Sequence, residues 1–166
     1  MKLNSKIKQF LDVYKGPGRN FWDYVSEGYH IITWWETINW YSNNEPEFNL
    51  TYQQKRQLFL DLVEYYMKKG WLKFQNGDVG IEPRRWLDEN GMYTADTTKN
   101  IYWDGENSSV EETLSFLDKH MPKGDEEGFD EETWLLTFFY ASVPLASYWY
   151  DGNDPEYPEA GWVHSD

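Results

Sequence analysis

The chain has three histidines, His30, His120 and His164, and these are the first residues to consider for metal binding or proton transfer. They lie far apart in the sequence, and none forms the HxH or HxxxH spacing that holds zinc. His30 falls on a largely apolar predicted helix, which favours a hydrogen-bonded core residue over a general base. An enzyme would need a pocket that brings His30 or His120 beside two carboxylates.

The acidic loop near the C-terminus has the oxygen ligands that calcium prefers, among them Asp151, Asn153 and Glu159. An EF-hand loop needs an oxygen ligand at its fifth position and Gly at its sixth. Counting from Asp151, Pro155 and Glu156 occupy those positions. A looser calcium clamp stays an alternative, but the spacing itself predicts no metal site.

Other motifs of catalysis are missing from the sequence. There is no Cys, no GxGxxG or Walker loop and no GxSxG elbow, so thiolate chemistry, a phosphate cradle and a serine nucleophile have no candidate residues. Paired carboxylates such as Glu126-Glu127 are too abundant to indicate an acid/base pair. We therefore predict a protein that is not an enzyme and that needs no cofactor.

Charge is distributed unevenly along the 166 residues. Residues 1–85 have 12 Lys and Arg against 10 Asp and Glu, whereas residues 86–166 have 3 against 19. Nucleic acid and anionic membranes would be repelled by the second half, and a basic protein would be attracted to it. The alternative is an acidic excess that serves solubility alone.

Acidic residues are interspersed with Tyr and Trp in the last forty residues. Tyr and Trp are residue types that often dominate the energy of binding interfaces. Tyr148, Tyr150 and Trp162 are candidates for the core, so Tyr157 and the carboxylates are the better surface candidates. The predicted partner-binding residues are Asp125, Glu126, Glu127, Asp130, Glu131, Glu132, Asp151, Asp154, Glu156, Tyr157 and Glu159.

Helical spacing of apolar residues, with start and stop signals, predicts five helices. Their ranges are 5–15, 20–41, 51–69, 109–121 and 130–143. Thr51 with Gln54, and Ser109 with Glu112, have the spacing of a capping box, and Asp130 is a predicted N-cap.

Two short hairpins are predicted from alternation and turn residues. Residues 71–74 alternate, and the turn Asn76-Gly77-Asp78 would let residues 79–81 pair back. Residues 145–150 and 161–164 form the second pair. Residues 84–98 are weakly patterned, with Trp86 and Leu87 as anchors and a turn at Asn90-Gly91. The predicted fold class is α+β and mostly helical, with about five helices and short β-hairpins mid-chain and at the C-terminus.

We expect a single domain over residues 1–166, since this length suits one core. The first eight residues alternate polar and apolar, unlike the continuous apolar stretch of a signal peptide, and no apolar run approaches membrane-spanning length. Because the chain has no Cys, it has no disulfide that a reducing compartment could break. The expected location is the cytoplasm.

The segment Phe138-Phe139-Tyr140-Ala141-Ser142-Val143-Pro144, followed by Tyr148-Trp149-Tyr150-Asp151-Gly152 and Gly161-Trp162-Val163, resembles small acidic immunity proteins of bacterial polymorphic toxin and contact-dependent inhibition systems. The resemblance covers the last third of the chain. It implies a protein that neutralises a cognate toxin, often a nuclease, by tight binding, and it assigns no individual binding residue.

Charge supports the same function independently, because a nuclease displays Lys and Arg to hold phosphate and an acidic inhibitor can compete for them. The expected partner is a basic protein, with neither nucleic acid nor a membrane as partner. The alternative is an adaptor or regulatory module that uses the mildly basic first half, with Lys6, Lys8, Arg84 and Arg85, to contact an acidic protein. A small enzyme is the third interpretation.

Overall fold

The computed structural model describes residues 31–46, 49–81, 83–87, 93–97 and 99–164, of which 83–87 and 93–97 are described by their backbone. The described residues form four helices and seven strands. The helices are α1 (Ile32–Asn44), α2 (Tyr52–Lys68), α3 (Val110–His120) and α4 (Glu131–Ala141). The strands are β1 (Leu72–Phe74), β2 (Gly77–Gly80), β3 (Pro83–Leu87), β4 (Tyr93–Thr97), β5 (Asn100–Trp103), β6 (Ala146–Tyr150) and β7 (Gly161–His164).

The α+β fold departs from the predicted one: about five helices were expected, and the described residues contain four. The predicted helix over 5–15, and residues 20–30 of the next one, lie outside the described residues. The mid-chain hairpin is also wrong, because β1 pairs with β6 and β2 pairs with β5. Within the weakly patterned segment 84–98, residues 84–87 and 93–97 belong to β3 and β4, which pair antiparallel; the expected Asn90-Gly91 turn lies outside the described residues.

The strands form three antiparallel sheets with orders β1-β6-β7, β2-β5 and β3-β4. The chain divides into two compact units, residues 1–74 with 145–166 and residues 75–144. The single domain stays a prediction. None of the helices in the described ranges is long and apolar enough to cross a membrane.

The first unit packs α1 and α2 against the sheet of β1, β6 and β7. Trp34 on α1 lies at the centre, with its ring 4.7 Å from that of Tyr66 and 6.1 Å from that of Tyr148. Strand alternation turns one face of the sheet to this core, so that Leu72 and Phe74 on β1 are buried. Tyr148 and Tyr150 on β6 are buried as well, as the sequence predicted, whereas Trp162, the third core candidate, is only half-buried.

The predicted capping boxes are both confirmed. The Thr51 hydroxyl accepts a hydrogen bond from the backbone N–H of Gln54 at 3.3 Å, and the Gln54 side-chain oxygen accepts one from the backbone N–H of Thr51 at 3.0 Å. Ser109 and Glu112 exchange the same two hydrogen bonds at the start of α3. Each box satisfies two backbone donors that a helix start otherwise leaves without partners.

The second unit packs α3 and α4 with strands β2 to β5, around buried Leu117, Leu135 and Phe138. Asp130 caps α4 as predicted, accepting from the Thr133 amide at 3.1 Å. Phe129, just before the cap, contacts Trp134 with ring centres 5.6 Å apart. This pair is a hydrophobic staple that sets the angle at which the chain enters α4.

Candidate functional site

We call the C-terminal strands β6 and β7, together with the loop 151–160 between them, the acidic hairpin. The two strands pair antiparallel, from Ser147 opposite His164 to Tyr150 opposite Gly161, which confirms the predicted C-terminal strand pair. The loop has four carboxylates and no Lys or Arg. Asp151, Glu156 and Glu159 are exposed, whereas Asp154 and Tyr157 are half-buried.

The buried Tyr150 hydroxyl holds loop 151–160 in place through two hydrogen bonds to its backbone. Tyr150 is only 2% exposed, and its hydroxyl donates to the Tyr157 carbonyl and accepts from the Asp154 amide at 2.9 Å. The Tyr157 amide in turn donates to the Asp154 carbonyl at 2.9 Å. A buried phenol therefore fixes both ends of the turn at 154–157.

Short side chains fix the rest of the loop. The Asp151 carboxylate accepts a hydrogen bond from the backbone N–H of Asn153 at 3.1 Å, and the Asp154 carboxylate accepts one from the backbone N–H of Glu156 at 3.0 Å. Gly152 has φ +76°, and a Cβ there would lie 2.5 Å from the Pro158 carbonyl oxygen. The loop needs glycine at this position both for its backbone conformation and for its close approach to residue 158.

The outer face of the β1-β6-β7 sheet, opposite the core, carries two tryptophans. Trp149 and Trp162 are directly opposite each other, and their ring centres lie 5.5 Å apart at an interplanar angle of 73°. Both are half-buried. The Lys73 ammonium lies 4.4 Å from the centre of the Trp162 ring. Sequence reasoning missed this cation because Lys73 meets Trp162 only through the pairing of β1 with β6.

The other predicted acidic residues lie in the second unit, in a segment we call the acidic turn, residues 123–132. Two of them hold backbone structure: Glu126 accepts from the amides of Lys123 and Gly124, and Asp130 caps α4. Glu131 is half-buried in the first turn of α4. Asp125, Glu127 and Glu132 are exposed, and these are the members of the acidic turn best placed to face a partner.

The histidines differ in their surroundings. His164 lies at the end of β7, with Nδ1 2.6 Å from the Ser147 hydroxyl oxygen. Ser147 is completely buried, so this pair lacks the access that a nucleophile needs for a substrate. In the second unit the His120 ring lies 4.6 Å from that of Phe116. Burial, and next the charge of Lys119, lower the pKa of His120, while a hydrogen bond with the backbone of Ile81 opposes them. His30 lies outside the described residues.

Among the described residues, no group of three or more His, Asp or Glu side chains converges to hold a metal ion. Comparison with protein-family models, with curated proteins and with solved structures finds no match to this chain. The candidate site consists of an acidic loop held by hydrogen bonds to the buried Tyr150 and of two partly exposed tryptophans on the strands that the loop joins.

Proposed function

We propose that the chain is an immunity protein that binds a basic toxin domain and neutralises it, without catalysing a reaction. The acidic hairpin carries the proposal: its three exposed carboxylates stand on a loop whose backbone is held by the buried Tyr150 hydroxyl. A surface ordered before binding loses little conformational entropy on association, and this favours high affinity.

Charge supports the same partner class. The formal net charge of the chain is −14, and residues 86–166, which include both the acidic hairpin and the acidic turn, contribute −16 against +2 from residues 1–85. Such a field raises the association rate with a basic protein and repels nucleic acid. A nuclease toxin must present Lys and Arg to its substrate, so an acidic protein that covers those residues inhibits it by direct competition.

The proposal includes a cytoplasmic location, because a toxin's producer needs protection where the toxin would act and a chain without Cys needs no oxidising compartment. The proposed immunity function requires one partner of opposite charge. An adaptor that uses the mildly basic first half would instead select an acidic partner, so the two functions differ in the sign of the partner's charge.

The first experiment is capture of partners from the lysate of the native organism with tagged protein, washed at low and then at high salt. The expected result is one basic protein whose toxic activity falls when this chain is added in equal amount. Recovery of an acidic partner, or of a basic one whose activity is unaffected by the chain, would contradict the proposal.

The second experiment locates the interface by association rates with the purified partner. Changing Asp151→Asn, Glu156→Gln and Glu159→Gln removes three exposed charges from the hairpin, and the amide oxygen introduced by Asp151→Asn keeps an acceptor for the backbone N–H of Asn153. We expect association at low salt to slow about tenfold. A matched triple variant, Glu36→Gln, Glu106→Gln and Glu111→Gln, removes three exposed charges elsewhere. Equal slowing in both would show that net charge, and not the hairpin, steers association.

A further inference from the structure

The outer face of the β1-β6-β7 sheet has the components of a binding site for a cationic side chain. Trp149 and Trp162 lie side by side on it as a cross-strand pair, and both are partly exposed. Tryptophan has the most favourable ring face for a cation within about 6 Å of the ring centre. Tyr148 and Tyr150 occupy the core-facing side of β6, so Trp149 projects from the opposite face of that strand.

The protein already places a cation on this face. The Lys73 ammonium lies 4.4 Å from the Trp162 ring centre, well within the range of a cation–π contact. Lys73 is opposite Ser147, which shares the outer face with Trp149 because side chains alternate along β6. An internal ammonium in this position shows that a positive charge is accommodated over the ring.

Negative charge is concentrated at the end of the same strands. Asp151 follows Trp149 by two residues, and Glu156 and Glu159 are exposed in the loop that joins β6 to β7. The loop residues 151–160 contain no Lys or Arg to neutralise these carboxylates. A planar cation that stacks on the rings would also have hydrogen-bond acceptors nearby, and this combination favours arginine, whose guanidinium stacks and donates in one plane.

We propose that the Trp149–Trp162 face is a binding site for an arginine side chain of the protein partner, and that Lys73 occupies part of this site until the arginine replaces it. The identity of the partner rests on the proposed function, but the chemistry of the site can be tested without the partner. Arginine is also the residue that a nuclease uses for phosphate, so the site would remove such a residue from its substrate.

The test uses a short peptide with four arginines as the probe and the same peptide with citrulline, the uncharged isostere of arginine, as the control. Binding is followed by NMR of the indole N–H signals of Trp149 and Trp162. We expect shifts of these two signals with the arginine peptide and none with citrulline. Equal shifts with both peptides, or shifts confined to other tryptophans, would overturn the proposal.

Two lysine variants test the role of Lys73. Lys73→Met removes the ammonium that lies over Trp162. Lys69→Met is the matched control: it removes one ammonium from the same unit, but that ammonium lies 5.6 Å from the Tyr65 ring centre. Because only the first change uncovers Trp162, we expect Lys73→Met to bind the arginine peptide about threefold more tightly than Lys69→Met. Equal affinities would contradict replacement of Lys73 by arginine.

A double variant, Trp149→Leu with Trp162→Leu, should lose the peptide, whereas Trp40→Leu, at an exposed tryptophan on α1, should keep it. Where the double variant fails to fold, Trp162→Phe replaces it: its smaller ring is a weaker partner for a cation, so peptide binding should weaken, and unchanged affinity would contradict the site. Binding of the peptide by wild type with its loss in the tryptophan variant supports the site even if no toxin is captured, in which case only the immunity function fails. A purified toxin that binds the folded double variant with wild-type affinity would overturn the site while the immunity function stands.

Discussion

Replacing Tyr150 with Phe removes the hydroxyl that contacts loop 151–160 and leaves the buried ring otherwise unchanged. That hydroxyl is the acceptor for the Asp154 amide and the donor to the Tyr157 carbonyl. In Tyr150→Phe both backbone groups lose their hydrogen bond to this hydroxyl. They are partly buried, so water can replace the hydroxyl only in part.

The expected cost follows from two hydrogen bonds. Each contributes about 1 kcal/mol net, so we expect the free energy of unfolding to fall by about 2 kcal/mol. For a chain of this size, 2 kcal/mol corresponds to a decrease of about 4–8 °C in Tm. If the loop opens without the rest of the unit, the same free energy appears as about 30-fold faster hydrogen exchange at the Asp154 amide.

Urea unfolding, thermal unfolding and amide exchange measure these three quantities, with Tyr102→Phe as the control. Tyr102 lies on β5 and is 65% exposed, so loss of its hydroxyl should leave stability within about 0.5 kcal/mol of wild type. If Tyr150→Phe matches Tyr102→Phe in stability and the Asp154 amide keeps its protection, the hydroxyl does not hold the loop and the argument for a preordered surface fails.

Three further predictions concern the same two units. Gly152→Ala should destabilise the protein by about 1 kcal/mol more than Gly70→Ala, since both glycines have φ +76° but only at 152 does a new Cβ meet backbone atoms; urea unfolding of both variants measures the difference. Asp130→Ala should cost about 1 kcal/mol by loss of the α4 cap while Asp130→Asn costs little, and a similar loss in both would show that charge and not capping matters. Because the pKa of His120 is lowered in the folded protein, chiefly by burial, the unfolded chain binds its proton more readily; stability should fall as the pH falls below about 6.5, and His120→Gln should weaken that dependence in unfolding curves measured at several pH values.

The helix starts were predictable because their chemistry is local. A capping box depends on two side chains three residues apart, so Thr51 with Gln54 and Ser109 with Glu112 are visible in the sequence alone. The buried Lys55 shows the limit of such reasoning. It is 7% exposed, with its ammonium 2.8 Å from the Asn39 side-chain oxygen, and that partner lies on a different helix.

The strands were harder to predict because alternation shows which residues share a face but does not name the partner strand. Residues 72–74 alternate as expected, yet their partner is β6 and not the next segment of chain. Strand β5 has three exposed residues in succession and therefore no alternation to reveal it. The short separation of 72–74 from 79–81 made a hairpin the simplest prediction, and long-range packing overrode it.

The sequence shows which carboxylates are candidates for the site, but not which of them hold the backbone and which face solvent. Glu126, Asp130, Asp151 and Asp154 accept hydrogen bonds from the backbone, so a replacement that lacks an acceptor changes structure as well as charge. Removing all predicted acidic residues together would therefore confuse lost binding with lost folding. Two triple variants avoid this problem: amide replacements of Asp125, Glu127 and Glu132 in one unit, and of Asp151, Glu156 and Glu159 in the other. Each removes three charges at exposed positions, and Asn at 151 keeps the acceptor for the Asn153 backbone N–H. Comparing association rates of these two triple variants assigns the interface to one unit, because any effect of net charge alone is the same in both.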